Sequence, residues 1–171
     1  MDAIGDLYDR HYRYIFRYFW LRVHDRQSAE DLTGEVFSRM VASLPDYRVR
    51  GVPFRAWLYR IARNLVADHY RQQGDHVTVP LAFADDLSAG DPTPDRVVEL
   101  RLTAERVRRA LTRLSPDQQE VVTLRFLTGL SLREVASALD KSVPAVKSLQ
   151  HRGLTSLRAA LHQERVREKC R

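Results

Sequence analysis

The amino-acid sequence predicts an all-α protein of two small helical bundles joined by an acidic linker. Apolar residues recur at intervals of three and four through two long stretches, which is the period of an amphipathic helix, and nowhere do they alternate as in a strand. Between these stretches, residues 76–100 contain three prolines, one basic residue and five acidic residues, with no helical period. A chain of 171 residues can hold one or two domains. We therefore expect a first domain at 1–75, a linker at 76–100 and a second domain at 101–171.

Three helices are expected in the first domain. Apolar and aromatic side chains follow the helical period over 4–23 and predict one long first helix. Ser28, with Asp31 three residues later, is a candidate cap for a second helix over 28–44, and the proline that follows ends it. After a turn, the helical period returns over 54–73 and predicts the third helix.

The second domain begins with a helix predicted over 96–114. Ser115 at a cap position, the proline after it and Gln118 three residues after the cap mark the start of the next helix. Gly129 is expected to stop that helix after residue 127.

A helix-turn-helix pattern follows. Ser131 and Glu134 have the spacing of a capping box at the start of a short helix, Asp140 begins a tight turn, and Ser142 can cap a second helix. The apolar side of that second helix is expected to hold Val146, Leu149, Gly153, Leu157 and Leu161.

The other side of this helix is basic and polar. Basic groups suit phosphates and guanine edges, and short hydroxyls suit adaptable contacts, when they lie in the first turns of a helix that enters the major groove. A solvated basic face is the alternative, because this spacing also occurs in proteins that do not bind DNA. The candidate duplex-reading residues are Lys147, Ser148, His151, Arg152, Thr155 and Arg158.

The helix at 54–73 carries a second candidate nucleic-acid face. Arginines interleaved with aromatic rings are typical of proteins that bind single strands, because bases stack on rings and guanidinium groups hold the backbone. The alternative is that Trp57 and the tyrosines belong to the core. The face opposite the apolar arc holds Arg55, Tyr59, Arg60, Arg63, Asn64, Tyr70 and Arg71.

Acidic residues surround apolar ones at positions 30–37 of the second helix. Such a rim can be a protein-docking face, although acids in a first helical turn are also expected from the helix dipole. Residue types leave both interpretations open. The group consists of Glu30, Asp31 and Glu35 with Leu32, Val36 and Phe37.

The net charge of +6 is unevenly distributed along the chain. Residues 1–75 contain 12 basic and 10 acidic side chains, whereas residues 101–171 contain 15 basic and 7 acidic ones. A basic second domain behind an acidic linker indicates a module that binds a polyanion.

Several classes of function find no support in the sequence. No apolar stretch approaches the roughly 20 residues of a membrane span, and the acidic N-terminus differs from a signal peptide, so we expect a cytoplasmic protein. The single cysteine, Cys170, cannot form an internal disulfide, and the six histidines lack metal-ligand spacing. Because phosphate-binding loops and catalytic motifs are also missing, we expect neither an enzyme nor a metal site.

Two motifs in order carry a resemblance to a known family. FRAWLYRIARNLVADHYR and, beyond the acidic linker, LSPDQQEVVTLRFLTGLSLREVASALDKSVPAVKSLQHR resemble the extracytoplasmic-function (ECF) group of the sigma-70 family, the promoter-specificity subunits of bacterial RNA polymerase. The resemblance covers nearly the whole chain. It implies two helical domains, σ2 and σ4, with no σ3 domain between them and no cofactor.

The resemblance also implies partners and residue roles. The partners would be core RNA polymerase, through its β′ clamp helices and β flap, and promoter DNA as duplex and single strand, with an anti-sigma factor as a further candidate. The linker would run toward the polymerase RNA channel. Docking on the clamp helices would involve Asp31, Leu32, Glu35 and Phe37. Capture of the melted −10 strand would involve Tyr47 and Arg48 in the loop at 47–52, with Arg60, Asn64, Asp68 and Arg71. Reading of the −35 duplex would involve Lys147, Ser148, His151, Arg152 and Thr155.

Three of the departures from the family pattern bear on the expected contacts. The family often has Gln where this chain has Gly34, which weakens one expected clamp contact. It commonly has Arg in the recognition helix where this chain has Leu149 and Leu154. We interpret both leucines as core substitutions that leave fewer phosphate contacts.

Two other kinds of protein fit parts of the sequence. One is an autonomous, dimeric helix-turn-helix regulator whose N-terminal bundle serves dimerisation or sensing. The other is a protein whose main task is to be bound by another, such as an adaptor. The aromatic and basic helix at 54–73 discriminates, because a duplex-binding repressor has no use for a single-strand face.

Overall fold

A computed structural model describes residues 3–23, 25–49, 51–74, 102–103, 106–107 and 109–170. Their regular structure is helical, without a strand in these ranges, so the predicted all-α class is confirmed. The helices are α1 (Ala3–Trp20), α2 (Arg26–Ser43), α3 (Phe54–Gln73), α4 (Pro116–Val122), α5 (Leu132–Leu139) and α6 (Val143–Lys169). A short 3-10 helix, Leu44–Asp46, follows α2. The predicted linker at 76–100 lies outside the described residues.

Two predictions about the first two helices were wrong in detail. The first helix ends at Trp20 and not at residue 23, because the chain tightens into a turn there: the backbone N–H of Arg22 donates to the carbonyl of Phe19, three residues back, at 2.7 Å. The N-cap of α2 is Asp25 and not Ser28: its Oδ1 accepts from the N–H of Ser28 at 2.8 Å, and its Oδ2 accepts from the Ser28 hydroxyl at 2.6 Å. The aspartate therefore satisfies the first exposed N–H groups of the helix.

The third helix has the predicted bounds. It begins after Pro53 and ends before Gly74, whose φ of 70° is the left-handed conformation in which glycine commonly terminates helices. In the helix predicted over 96–114, the described positions 102–103, 106–107 and 109–111 are helical, and the chain turns over 112–114. Positions 96–101 lie outside the described part of the chain.

Local signals also fix the remaining helices. Both predicted capping boxes form: Ser115 with Gln118 at α4, and Ser131 with Glu134 at α5. After α4 the chain continues through a π-helical turn, Thr123–Leu127, and reverses at Gly129, whose φ is 71°. The turn between α5 and α6 passes through the left-handed conformation at its C-cap, and α6 then extends well beyond the predicted motif.

The helices form two units that pack against each other. The N-terminal unit contains α1–α3, and the C-terminal unit contains α4–α6 with the helical positions that precede them. One group of buried side chains runs through both units, from Ile15 and Tyr59 to Leu124, Val135 and Val146. The contact between the units is made mainly by α3 and α5. The two bundles expected from the sequence therefore share a continuous core.

Within the described ranges, no helix is both long and apolar enough to cross a membrane. The same residues contain no group of three His, Cys, Asp or Glu side chains placed to hold a metal ion.

Candidate nucleic-acid interfaces

The basic face of α6 is open to solvent. The Ser142 hydroxyl accepts from the N–H of Ala145 at 3.3 Å at the start of the helix, and Val146 is completely buried one turn later. These two anchors turn the opposite side outward. All six residues predicted for this side are exposed: Lys147, Ser148, His151, Arg152, Thr155 and Arg158.

Two contacts fix the position of α6 within the C-terminal unit. Gly153 lies so close to α4 that a Cβ placed there would be 3.0 Å from Cγ2 of Val122 and 3.4 Å from Cβ of Gln118. In the turn before α6, Nζ of Lys141 pairs with Oδ2 of Asp117 at 3.2 Å. The exposed basic face therefore rests on a helix with close backbone packing, which suits insertion into a groove.

One prediction for the apolar side of α6 was wrong. Leu149 is half-buried and packs against the core, as expected, but Leu154 is 37% exposed. Leu154 is therefore not a core substitution. It adds an apolar surface to the outer side of α6.

The loop after α2 presents one basic and one apolar side chain. The Tyr47 ring stacks on Trp57 with centroids 4.7 Å apart, and its hydroxyl donates to the carbonyl of Val52 at 2.8 Å. Tyr47 is thus held half-buried and braces the loop, whereas Arg48 and Val49 project from it. Val49 is 84% exposed, which is unusual for a β-branched apolar side chain.

The face of α3 differs from the prediction. Tyr59 and Tyr70 are 2% and 3% exposed, so their rings belong to the core and cannot stack on bases. On the predicted face, Asn64 is exposed, and Asp68 forms an ion pair with Arg71 one turn later. Wheel geometry placed the tyrosines outward because the sequence does not show which elements cover that side of the helix.

Three arginines of α3 bind the C-terminal unit. Nη2 of Arg55 donates to the carbonyl of Thr128 at 2.9 Å. Nε of Arg60 donates to the carbonyl of Ser137 at 2.7 Å, and Nη1 of Arg63 donates to that of Ala138 at 3.0 Å. The last two carbonyls lie in the final turn of α5, the end of a helix that carries partial negative charge.

A charged group between the units was missed by the sequence interpretation. We call Tyr18, Arg22, Arg63 and Glu120 the Glu120 cluster. The Tyr18 hydroxyl donates to Oε1 of Glu120 at 2.9 Å, Nη2 of Arg22 lies 2.5 Å from Oε2, and Nε of Arg63 lies 3.5 Å from Oε1. The signal that could have revealed the cluster is the placement of Arg22 and Glu120 among apolar residues.

The Glu120 cluster is largely closed to solvent. Side-chain exposure is 6% for Arg22 and 12% for Glu120. Burial, reinforced by the charge of Glu120, raises the pKa of Tyr18 well above its ordinary value. The guanidinium of Arg22 contacts the carboxylate as a close ion pair, so the two buried charges have each other as partners.

The acids of the rim on α2 are exposed or half-buried, whereas two of its predicted apolar residues, Val36 and Phe37, are buried. Asp31 and Glu35 face solvent, and Leu32 is half-buried between them. Phe37 is only 5% exposed, and its ring centroid lies 4.7 Å from that of Tyr8. The prediction that Phe37 contacts a docking partner was therefore wrong. Its ring supports the helix from inside.

Comparison with protein-family models finds both halves of the chain in one family. Residues 7–76 match the model described as Sigma-70 region 2, and residues 104–157 match the model described as Sigma-70, region 4. The exposed face of α6 falls within the second match except for Arg158, and α3 falls within the first.

The curated relatives with similar sequences include ECF RNA polymerase sigma factors. ECF RNA polymerase sigma factor BldN of Streptomyces coelicolor is 40% identical over 156 residues, which cover 91% of this chain and 59% of that protein. ECF RNA polymerase sigma factor SigX of Bacillus subtilis is 32% identical over 166 residues, which cover 95% of this chain and 84% of that protein. The chain thus spans about three fifths of the length of BldN and most of SigX.

Solved structures have the same architecture. The structure of CnrH in complex with the cytosolic domain of CnrY matches 94% of this chain and 88% of its own, with a TM-score of 0.71 and 27% identity. The sigma factor RpoE from Bartonella quintana, in complex with the anti-sigma factor NepR, matches 92% of this chain and 98% of its own, with a TM-score of 0.65. At 20% identity the second likeness shows the fold alone.

Proposed function

This chain belongs to the extracytoplasmic-function group of the sigma-70 family, and from that membership we propose that it binds core RNA polymerase and directs promoter-specific initiation of transcription. Its two units divide the promoter between them. The C-terminal unit reads the −35 element as duplex, and the N-terminal unit captures the melted strand of the −10 element.

The exposed face of α6 is the observation that carries this proposal. A helix-turn-helix places the N-terminal part of its second helix in the major groove, where arginine and lysine pair with guanine edges and phosphates. Side chains of that type lie in the first four turns of α6, and none of them is buried. The proposed −35 contacts are Lys147, Ser148, His151, Arg152 and Thr155.

Capture of the −10 strand is assigned to α3 and the loop before it. Arg48 projects from a loop braced by Tyr47, and such a loop can hold an unstacked base and its phosphate. Asn64 offers a donor and an acceptor for a base edge, and Asp68 holds Arg71 in place beside it. Arg60 completes the group once its present partner on α5 is released.

Docking on the polymerase is assigned to the exposed rim of α2. Asp31 and Glu35 suit a basic partner surface, and Leu32 supplies the apolar contact between them. We assign this rim to the β′ clamp helices and the C-terminal unit to the β flap. The linker at 76–100 would pass toward the RNA channel.

An anti-sigma factor is a further proposed partner. CnrH and RpoE, which share this architecture, were both solved in complex with another protein, and for RpoE that protein is an anti-sigma factor. We propose that this chain is likewise held by a protein that covers its docking rim or its DNA-binding faces.

The proposal is tested by transcription with purified core polymerase on a library of promoter fragments. Wild-type protein should select fragments with a common upstream element, and Arg152→Ala should change that element while transcription continues. Arg165→Ala, which removes the same charge from an exposed position near the end of α6, serves as the control and should select the wild-type element. Tight sequence-specific duplex binding by the protein alone, without promoter-dependent transcription on adding core polymerase, would show an autonomous regulator instead.

A further inference from the structure

The first turn of α6 is apolar on its exposed side. Pro144 and Ala145 are exposed, whereas Val143 is half-buried against the core and Val146 is completely buried. The proline ring and the alanine methyl group are thus left open to solvent at the start of the helix. The basic and hydroxyl side chains of the exposed face begin only at Lys147, in the next turn.

This apolar turn has few hydrogen-bond donors to offer. A helix N-terminus can bind phosphate oxygens through its free backbone N–H groups. Pro144 has no N–H, and the N–H of Ala145 is already bonded to the Ser142 hydroxyl at 3.3 Å. The N–H of Val146 donates to the carbonyl of Ser142 at 3.0 Å. Three of the first four positions of α6 therefore have no free N–H for a phosphate.

The apolar turn lies in line with the candidate duplex contacts. Pro144 precedes Ser148 by four residues and His151 by seven, so the three side chains share one face of the helix. A helix-turn-helix places the N-terminal residues of its second helix against base edges in the major groove. In the proposed orientation of α6, Pro144 and Ala145 therefore meet base edges.

Thymine presents an apolar group at its major-groove edge. Guanine, adenine and cytosine present hydrogen-bond acceptors and donors there, whereas thymine adds its C5-methyl group to a single acceptor. An apolar surface placed against donors and acceptors leaves them without a partner, which is unfavourable. Against a methyl group, the same surface removes apolar area from water on both sides. The first turn of α6 thus fits thymine better than any other base.

We propose that Pro144 and Ala145 contribute to the specificity of −35 reading by packing on the C5-methyl group of a thymine. The inference rests on the proposed function, because it assigns a base to the helix proposed to read the −35 duplex. Contacts from basic side chains to phosphates weaken as the salt concentration rises, because binding releases counterions. A methyl contact releases none, so its contribution should not depend on salt.

Replacement of thymine by 2′-deoxyuridine tests the contact at the level of one methyl group. The base pair and its hydrogen-bonding groups stay the same, and only the methyl is lost. The probe is the promoter fragment that the wild-type protein selects with core polymerase, with the thymines of its −35 element replaced one at a time on both strands. Competition against the unmodified labelled fragment measures the affinity of the protein bound to core polymerase.

Loss of the methyl group should weaken binding about fourfold at one or two of these thymines. The same factor is expected at about 50 mM and at about 200 mM salt, although the overall affinity falls between them. Removing the apolar groups from the protein should abolish the difference. The double variant Pro144→Gly, Ala145→Gly should therefore bind the thymine and deoxyuridine fragments equally.

Ala159→Gly is the matched control. It removes the same methyl group from another exposed position of α6, farther along the helix than the proposed contacts, so the fourfold difference should remain at about the wild-type value. Urea unfolding verifies that each variant is folded. If the double variant is not, Ala145→Gly alone takes its place and should reduce the difference.

Three results would overturn the proposal. One is equal binding of the wild-type protein to the thymine and deoxyuridine fragments at every −35 position. Another is a selected −35 element without thymine on either strand. The third is a difference that persists undiminished in the folded variant.

The transcription assay distinguishes this failure from failure of the proposed function. Promoter-dependent transcription without any effect of the methyl group removes the thymine contact and keeps the function. The function is removed and the contact is kept if the chain directs no transcription with core polymerase but selects a duplex alone, and if the deoxyuridine form of that duplex binds about fourfold more weakly.

Discussion

Replacing Gly153 by alanine should destabilise the protein, although alanine is the better helix former. The added Cβ would lie 3.0 Å from Cγ2 of Val122 and 3.4 Å from Cβ of Gln118, and the Gln118 carbonyl oxygen is 3.5 Å away. Val122 is 3% exposed and β-branched, so its methyl group cannot rotate away without leaving the preferred rotamer. Relief therefore requires α6 to move away from α4.

The magnitude follows from two opposing effects. Alanine in place of glycine in a helix gains about 1 kcal/mol. Extra atoms in a well-packed core cost about 1–3 kcal/mol. The expected net loss for Gly153→Ala is about 1 kcal/mol, which corresponds to a fall in Tm of roughly 2–4 °C for a chain of this size.

Gly34→Ala is the matched control, because no atom lies within 4 Å of the Cβ it would add in α2. It should raise the free energy of unfolding by about 0.5–1 kcal/mol. Urea unfolding followed by circular dichroism measures both variants. An increase in stability for Gly153→Ala equal to that of Gly34→Ala would refute the close packing of α6 on α4. Val122→Ala should recover part of the loss in the Gly153→Ala background.

Two further predictions concern α2 and α1. Phe37→Ala should lower the free energy of unfolding by about 3–5 kcal/mol because its ring is buried, whereas Glu35→Ala should change it by less than about 0.5 kcal/mol and weaken binding to core polymerase. Urea unfolding measures the stability of both variants, and a pull-down with core polymerase measures their binding. If Phe37→Ala weakened binding and Glu35→Ala weakened stability, Phe37 would belong to the docking surface. Burial, with the charges of Arg55 and Arg10, lowers the pKa of His11 below 6.5, so the folded state takes up its proton less readily than the unfolded chain. The part of the stability that is present above pH 6.5 is therefore lost as the pH falls through the folded pKa of His11. In unfolding measurements from pH 7.5 to 5, His11→Gln should make the free energy of unfolding depend less on pH. An unchanged slope would mean that other groups cause the pH dependence.

Helix limits that depend on neighbouring residues were predictable from sequence. The capping boxes at Ser115 and Ser131 formed, and α3 ended at Gly74, because each signal involves residues at most three or four positions apart. The N-cap of α2 was predicted at the wrong residue because Asp25 and Ser28 are both good N-cap residues. The structure uses the aspartate as the cap and binds the serine hydroxyl to it.

Whether a site residue is exposed could be predicted only where no distant helix covers it. The face of α6 was predicted correctly because its own apolar stripe turns it outward. Phe37 and Tyr59 were assigned to the wrong environment because each is covered by a helix from elsewhere in the chain: Phe37 by α1, and Tyr59 by packing on Tyr18 with ring centroids 5.5 Å apart. A helical wheel cannot supply that information.

The arginines of α3 show why a single-strand face and an interface within the protein give the same sequence pattern. Both require planar, permanently charged donors next to aromatic and apolar surface, because carbonyl, carboxylate and phosphate oxygens are all bound by the same guanidinium geometry. Arg60 now binds a carbonyl of α5 at 2.7 Å, and a phosphate oxygen would be bound at a similar distance. The pattern at 54–73 therefore identifies an anion-binding face, and in the structure its arginines bind backbone carbonyls of Thr128, Ser137 and Ala138.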